Sequence, residues 1–345
     1  MLGLDISTSS VKLVELDRLP DGQYVLQRLQ SEPLEQGWVV GNQVEKFDEV
    51  AGAIERAVKR SGTRTRQVVF AMPPASVITK KIAMAADLRE DEMEAQVESE
   101  ANHYIPFPLE EVSLDYCVMG PSKTSPGDVD VMIAASRKDK VQDRQGLVEA
   151  AGLKPAILDI ESHAALMGVA PVIQALPGYS SETLVALFEI GSESSSMKII
   201  KGTELINERD QAFGGAQLTH FITRQYGFSW EEAEQRKRSH DLPPDYEETI
   251  LQPFVNTLAQ EIARALQFFF TSSPHHKVNY VLVSGGTATL PQLTQQITDL
   301  TGFAAVVVNP FEHFQIGAQL QKDRVRKEAP SYLTACGLAL RRFMP

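Results

Sequence analysis

Leu2-Gly3-Leu4-Asp5-Ile6-Ser7-Thr8-Ser9-Ser10-Val11-Lys12-Leu13 opens the chain. An apolar run from Leu2 ends in an acid, a short hydroxyl-rich turn follows, and a second apolar run starts at Val11. The turn is too short and polar to be core. It offers what a phosphate needs: close-packed backbone N–H groups, the hydroxyls of Ser7, Thr8 and Ser9, and a lysine, Lys12, able to turn back toward the anion. Asp5, at the strand end, is placed to hold a metal ion through its water shell. Taken alone, the stretch also describes an ordinary β-hairpin with a polar tip.

Two later segments have matching form. Phe188-Glu189-Ile190-Gly191-Ser192-Glu193-Ser194-Ser195-Ser196-Met197-Lys198-Ile199 is again strand, acid, Gly/Ser turn, strand. Val281-Leu282-Val283-Ser284-Gly285-Gly286-Thr287-Ala288 is an apolar strand ending in a double glycine. Two acid-tipped hairpins and a strand-Gly-Gly-Thr turn, in this order, resemble the actin-like ATPase superfamily. The resemblance implies an α/β fold of two duplicated domains around a nucleotide cleft. The first hairpin would touch the phosphates from one side, the second from the other, and the glycine pair would lie against the adenosine.

At 345 residues, the chain suits two domains with a core each. Its 43% hydrophobic and 23% charged content is that of an ordinary globular protein. A formal net charge of -12 disfavours non-specific binding to nucleic acid or anionic lipid. The two cysteines, Cys117 and Cys336, have apolar neighbours and no metal-ligand spacing, which fits a reducing compartment. No apolar run reaches the ~20 residues of a membrane span. With a strand starting at Leu2, neither a signal peptide nor an N-terminal membrane-contacting segment is expected in this chain.

In chain order, Leu2–Ile6, Val11–Leu16 and Tyr24–Gln30 predict a three-stranded meander. Apolar residues at helical spacing predict a helix over 45–61, ended by Gly62, and 67–71 reads as a buried strand. After Pro73-Pro74 the character changes. The segment 76–160 reads as strand 77–84, a helix capped by Asp87 with Glu90 completing a capping box, strands 112–119 and 129–136, helix 138–151 closed by Gly152, and strand 156–160. That β-α-β-β-α-β order predicts an inserted ferredoxin-like subdomain. A helix over 162–175 crosses to the second half. There the hairpin, a strand at 203–209 and helices 217–226, 230–239 and 245–270 precede strand 280–284, helix 290–300 and strand 306–308. A small-residue helix, 331–341, would pack closely on the cleft floor. The division expected is 1–75 and 76–160 for the first phosphate-loop subdomain and its insertion, 161–207 for the return and the second loop, 208–279 for the subdomain beyond it, and 280–345 for the adenosine motif and last helix.

The whole chain resembles the type IV pilus assembly PilM family, a cousin of the cell-division protein FtsA. The match rests on Gly3-Leu4-Asp5-Ile6-Ser7, Tyr104-Ile105-Pro106-Phe107-Pro108-Leu109-Glu110-Glu111-Val112, Phe213-Gly214-Gly215, Leu266-Gln267-Phe268-Phe269-Phe270, Gly285-Gly286-Thr287-Ala288 and Ala335-Cys336-Gly337-Leu338-Ala339-Leu340-Arg341. The resemblance implies ATP and Mg2+ binding, with Asp5, Ser7, Thr8, Ser9 and Lys12 as the first phosphate loop. It implies Gly191 and Ser192 in the second loop, Gly214 and Gly215 beside it, and Gly285, Gly286 and Thr287 at the adenosine. Glu234 and Lys237, in Ala233-Glu234-Gln235-Arg236-Lys237, match a pair that contacts ribose and base; solvated helix charges would read the same. Asp5 and Glu189 would hold magnesium through water. Glu189 departs from the pattern, which has aspartate there. One extra methylene misplaces a hydrolytic water, so Glu189, the one catalytic candidate, predicts at most weak ATPase activity.

The resemblance also implies a partner, the N-terminal cytoplasmic tail of the inner-membrane protein PilN, and a location in the cytoplasm, held at the inner membrane through that partner. Docking of other pilus inner-membrane proteins and self-association are compatible with it. Between Asp87 and Glu111 stand nine carboxylates and one arginine. Most read as a solvated helix face, but the segment ends in Tyr104, Ile105, Phe107 and Leu109, held by two prolines. An apolar patch with an acid rim, including Glu98 and Glu100, suits a basic tail with aliphatic anchors. A small-molecule kinase of the same superfold is the alternative. An FtsA-like filament protein would want a C-terminal amphipathic helix, whereas this sequence ends at Arg342-Phe343-Met344-Pro345.

Overall fold

In the computed structural model, which describes residues 1–41 and 43–344, the opening hairpin pairs Leu2–Ile6 antiparallel with Ser10–Arg18, Asp5 opposite Lys12. Ser10–Arg18 pairs with Tyr24–Pro33. On the other side, Leu2–Ile6 runs parallel to Gln67–Met72, and that strand parallel to Lys154–Ile160. A two-residue strand, Gln315–Ile316, covers the outer edge of Tyr24–Pro33. The second half repeats the plan. Leu184–Ile190 pairs antiparallel with Ser195–Lys201, which pairs with Glu204–Gln211. Leu184–Ile190 also runs parallel to Tyr280–Ser284, and that to Ala304–Val307. Each main sheet thus has three meander strands followed by two parallel ones, the duplication expected from the hairpin repeat, and the first adds the edge strand Gln315–Ile316.

Two-residue alternation decides what each sheet face meets. Leu2, Leu4, Ile6, Val11 and Leu13 face the helices Phe47–Ser61 and Lys138–Ala150, among Ile54, Ala57, Leu147 and Val148. Val14, Leu16 and Leu26 face the opposite way, against the helix Leu333–Leu340. In the second sheet Ala186, Phe188 and Ile190 face the long helix Gln252–Ser272, and Val185 and Leu187 face Glu161–Gln174. The two inner helices, Glu161–Gln174 and Leu333–Leu340, cross between the sheets at very short range. A Cβ added at Gly337 would lie 1.7 Å from the Ala164 carbonyl oxygen, and one at Gly168 would lie 2.5 Å from that of Leu333. This is the small-residue floor expected over 331–341.

The inserted segment departs from expectation. Its elements follow in the expected order, but the sheet is not ferredoxin-like. Ile78–Ala85, Asp128–Arg137 and Val112–Pro121 form a three-stranded antiparallel sheet, covered by the helix Glu90–Tyr104 through Met93 and Val97. The fourth strand, Lys154–Ile160, joins the first main sheet instead. The reason lies in the preceding helix: Leu147, Val148, Ala151 and Leu153 complete the core around Leu4 and Ile54, which draws the strand to Gln67–Met72. The helix cap also moves. Glu92, not Glu90, reaches back to accept the Arg89 N–H at 3.0 Å, because Leu88 is packed in the subdomain core. The helix expected over 245–270 begins with a π turn, Glu247–Leu251, ahead of Pro253, whose missing N–H interrupts the ordinary ladder. Among the described residues no helix is long and apolar enough to cross a membrane. Pro345, the end of the last expected segment, lies outside the described residues.

Candidate functional site

The first loop forms as its sequence suggests. Ser7 closes the turn: its N–H and its hydroxyl both donate to the Ser10 carbonyl, at 3.0 and 2.9 Å. Thr8 and Ser9 occupy the tip, partly open to solvent. Lys12 Nζ lies 3.3 Å from Asp5 Oδ2, so the strand-end acid and the lysine present one charged pair at the cleft.

The second loop is held by residues far away in sequence. The Gly191 carbonyl accepts from the Gly215 N–H at 2.9 Å and from Thr287 Oγ1 at 3.3 Å. The Ala216 N–H donates to the Ser192 carbonyl at 2.8 Å. A Cβ at Gly214 would lie 2.3 Å from that same oxygen, so the turn admits no side chain there. Gly285 sits at φ +93 with Ile190 packed behind it, and its N–H donates to the Pro330 carbonyl at 2.8 Å. Gly286 is different: a Cβ there would meet nothing within 4 Å. Gly191, Ser192, Gly214, Gly215, Gly285, Gly286 and Thr287 therefore form one assembly, and its open side is at Gly286.

Glu189 is fully engaged. Its Oε2 accepts from Lys198 Nζ at 2.5 Å and its Oε1 from Thr334 Oγ1 at 3.1 Å. Lys198 also lies 3.3 Å from Glu208. Burial pulls the Lys198 ammonium down, but Glu189 and Glu208 outweigh it and hold it above the ordinary lysine value. Glu234 and Lys237 are 2.5 Å apart, and both bond Thr219, whose N–H reaches the Gly215 carbonyl at 3.4 Å. The pair stands next to the glycine assembly, with its charges turned on each other.

The proline-fixed loop divides. Ile105 is buried with Ala101, Val112 and Ala135, and Leu109 packs against that cluster. Tyr104 and Phe107 are exposed, at 45% and 37%. Lys80 Nζ stands 4.6 Å from the Tyr104 ring and Arg137 Cζ stands 5.5 Å from the Phe107 ring. Glu98 is exposed and Glu100, half-buried, lies one helical turn before Tyr104. The rim next to the rings is thus mixed in charge, not purely acidic.

A family model described as type IV pilus assembly protein PilM matches residues 3–343. The chain belongs to the PilM family. A solved structure titled as a PilM–PilN type IV pilus biogenesis complex is 29% identical, with a TM-score of 0.80, covering 100% of this chain and 98% of that one. Ethanolamine utilization protein EutJ from Carboxydothermus hydrogenoformans is 16% identical, TM-score 0.56, over 98% of this chain and 88% of that one. The archaeal actin homolog Ta0583, solved with ADP, is 12% identical, TM-score 0.52, over 100% and 99%. These last two establish the actin-like ATPase fold.

This PilM-family chain also brings to the cleft residues that its sequence motifs do not include. Glu161 starts the helix Glu161–Gln174, directly after a parallel strand. Burial, then the negative charge of Asp5, pushes its carboxyl up to about 8, against the pull of Arg144 and Lys198. An acid at the carboxyl end of a parallel strand was the available signal. Lys198 had one too, a lone lysine inside Met197-Lys198-Ile199-Ile200.

Glu161 makes stability depend on pH with a definite sign. Unfolded, it ionises near 4.5; folded, near 8, so the folded state holds the extra proton between these values. Stability therefore falls as pH rises through that window. The full shift is worth ~5 kcal/mol, which water in the partly open cleft reduces to on the order of 2. Melting curves without metal or nucleotide, from pH 5.5 to 8.5, should show Glu161→Gln gaining on the parent as pH rises. A constant difference between the two would contradict this.

Proposed function

We propose that this PilM-family chain is a nucleotide-binding adaptor of type IV pilus assembly, which docks the N-terminal cytoplasmic tail of PilN on its inserted subdomain. The observation that carries the reading is the likeness over the whole chain to the PilM of a PilM–PilN complex. The reading places the protein in the cytoplasm, held at the inner membrane through PilN. It shortens the inserted subdomain expected over 76–160 to 76–137, assigns 138–160 to the subdomain of the first phosphate loop, whose sheet and core those residues join, and keeps the remaining divisions as expected from sequence. Co-purification with a synthetic PilN tail, with and without ATP and magnesium, tests it.

The cleft suits a nucleotide. The open space at Gly286 gives room where the adenosine motif needs it, while Gly214 and Gly285 are packed to the backbone. Asp5, Lys12 and the Ser7–Ser9 turn would face the phosphates from one side, Gly191 and Ser192 from the other, with Glu234 and Lys237 toward the ribose. Bound magnesium would supply positive charge between the phosphates, its water shell held by Asp5 and Glu189. Nucleotide would set the angle between the halves. Lys81 and Lys123 of the inserted subdomain both pair with Glu204 of the second half, at 3.3 and 3.4 Å, so that angle bears on the docking subdomain.

Turnover is expected to be slow. Both Glu189 oxygens are already bonded, and the side chain carries the extra methylene. Glu161 gives the kinase alternative a second carboxyl in the cleft, but one pushed up to about 8 is mostly protonated at pH 7, which leaves only a minor fraction ready to take up a proton. Steady-state phosphate release should stay below about 0.01 per second. Glu189→Asp should retain binding and, if anything, speed release. Robust hydrolysis by the parent would overturn this assignment and favour the kinase.

A further inference from the structure

The strand Glu204–Gln211 is an outer strand of its sheet, and none of its residues is buried. Its counterpart in the first half, Tyr24–Pro33, is covered by Gln315–Ile316, with Gln315 opposite Val25 and Ile316 opposite Leu26. The duplication thus marks a strand position that the first half fills from its own chain. Among the described residues the second half does not fill it.

Beside the uncovered edge runs a trough of about 440 Å³. Arg209 and Gln211 of the edge strand form one wall, and Glu261, Arg264, Ala265 and Phe268 of the long helix form the other. The helical residues are three, four and seven apart, so they share one face. Phe268 is 53% exposed, and the Arg209 guanidinium lies 4.0 Å over its ring. Arg264 is paired with Glu261 at 2.9 Å. The trough lining carries two arginines against one carboxylate, Glu261, while Glu208 and Asp210 of the edge strand alternate to the other face, where Glu208 pairs with Lys198.

We propose that Glu204–Gln211 accepts an added sixth strand: an extended segment of a partner protein whose trough-facing side chains, at every second residue, are carboxylates flanking one apolar side chain seated against Ala265 and Phe268. The edge supplies main-chain hydrogen bonds. Side chains on one face of the added strand recur every second residue, so one set faces the trough. Its carboxylates meet Arg209, and they compete with Glu261 for Arg264 as a bidentate partner. The trough is lined by none of the residues assigned to the nucleotide or to the Tyr104–Phe107 surface.

Fluorescence anisotropy tests it with a labelled eight-residue peptide that carries glutamate, valine and glutamate at successive alternate positions, with threonine between them. Two controls carry lysine for glutamate, or N-methyl groups on alternate backbone nitrogens. The acidic peptide should bind and slow amide exchange at residues 204–211, and both controls should fail. Arg209 is exposed, so Arg209→Glu should fold normally and weaken binding at least about tenfold. Three results would overturn the proposal. The first is no binding of the acidic peptide at about 1 mM. The second is equal binding by the N-methylated control or by Arg209→Glu. The third is self-association of the parent that Arg209→Glu abolishes, which would assign the edge to a second copy.

Discussion

Gly337→Val should leave no cooperatively folded protein at 37 °C, and Gly337→Ala should already lower stability by at least ~3 kcal/mol. The first side-chain carbon at this position would stand 1.7 Å from the Ala164 carbonyl oxygen, a backbone atom that no rotamer change can move. The two helices would have to separate, and both are pinned. Leu333–Leu340 sits on Val14, Leu16 and Leu26 of the first sheet, and Glu161–Gln174 on Val185 and Leu187 of the second. Separation would also pull Thr334 from Glu189. Calorimetric melting of the two variants checks this; a Gly337→Ala melt within a degree or two of the parent would contradict the close crossing.

The second large effect concerns nucleotide. Ligand that binds only the folded state stabilises by mass action, about 2.7 kcal/mol at a hundredfold excess over its dissociation constant. ATP with magnesium should therefore raise the melting temperature of the parent. Asp5→Ala should abolish the rise, and it should also lower stability without ligand, because Lys12 loses its partner. Gly286→Val separates the two effects. Nothing lies within 4 Å of the added carbon, so the unliganded melt should barely move, while the filled space excludes the adenosine. A ligand-induced rise surviving in both variants would contradict the assigned cleft.

How much of this was readable in the sequence depends on range. The hairpin loops are local: an acid, a four-residue polar turn and apolar alternation over a dozen residues suffice to place the two strands, and the register then puts Asp5 opposite Lys12. The duplication was readable because the same pattern returns at Glu189. Strand membership of 154–160 was not. An apolar strand pairs equally well with either of two sheets, and helix packing around Leu147 and Val148 chose between them. The loop Tyr104–Leu109 shows the same limit of local reading. All four apolar residues looked alike in sequence, yet Ile105 fills the subdomain core while Tyr104 and Phe107 stand outside it. Glu161 carried a local signal, an acid at the end of a parallel strand, but the charges of Asp5 and Lys198 that act on it come from strands far away in sequence, which spacing along the chain does not encode.

Titration calorimetry of a synthetic PilN N-terminal tail into the parent and into Phe107→Ala, each with a matched melting curve, tests the adaptor reading most directly. Phe107 is partly exposed, so its truncation should leave the melting temperature and ATP binding unchanged. Losing an aromatic anchor at a docking surface costs upwards of ~2 kcal/mol, and binding should weaken at least about tenfold. Ile105→Ala, by contrast, should lower the melting temperature, because Ile105 lies in the core. The expected result is measurable binding by the parent, lost in Phe107→Ala at unchanged stability. A parent that does not bind the tail, or a folded Phe107→Ala that binds it as the parent does, would contradict the account.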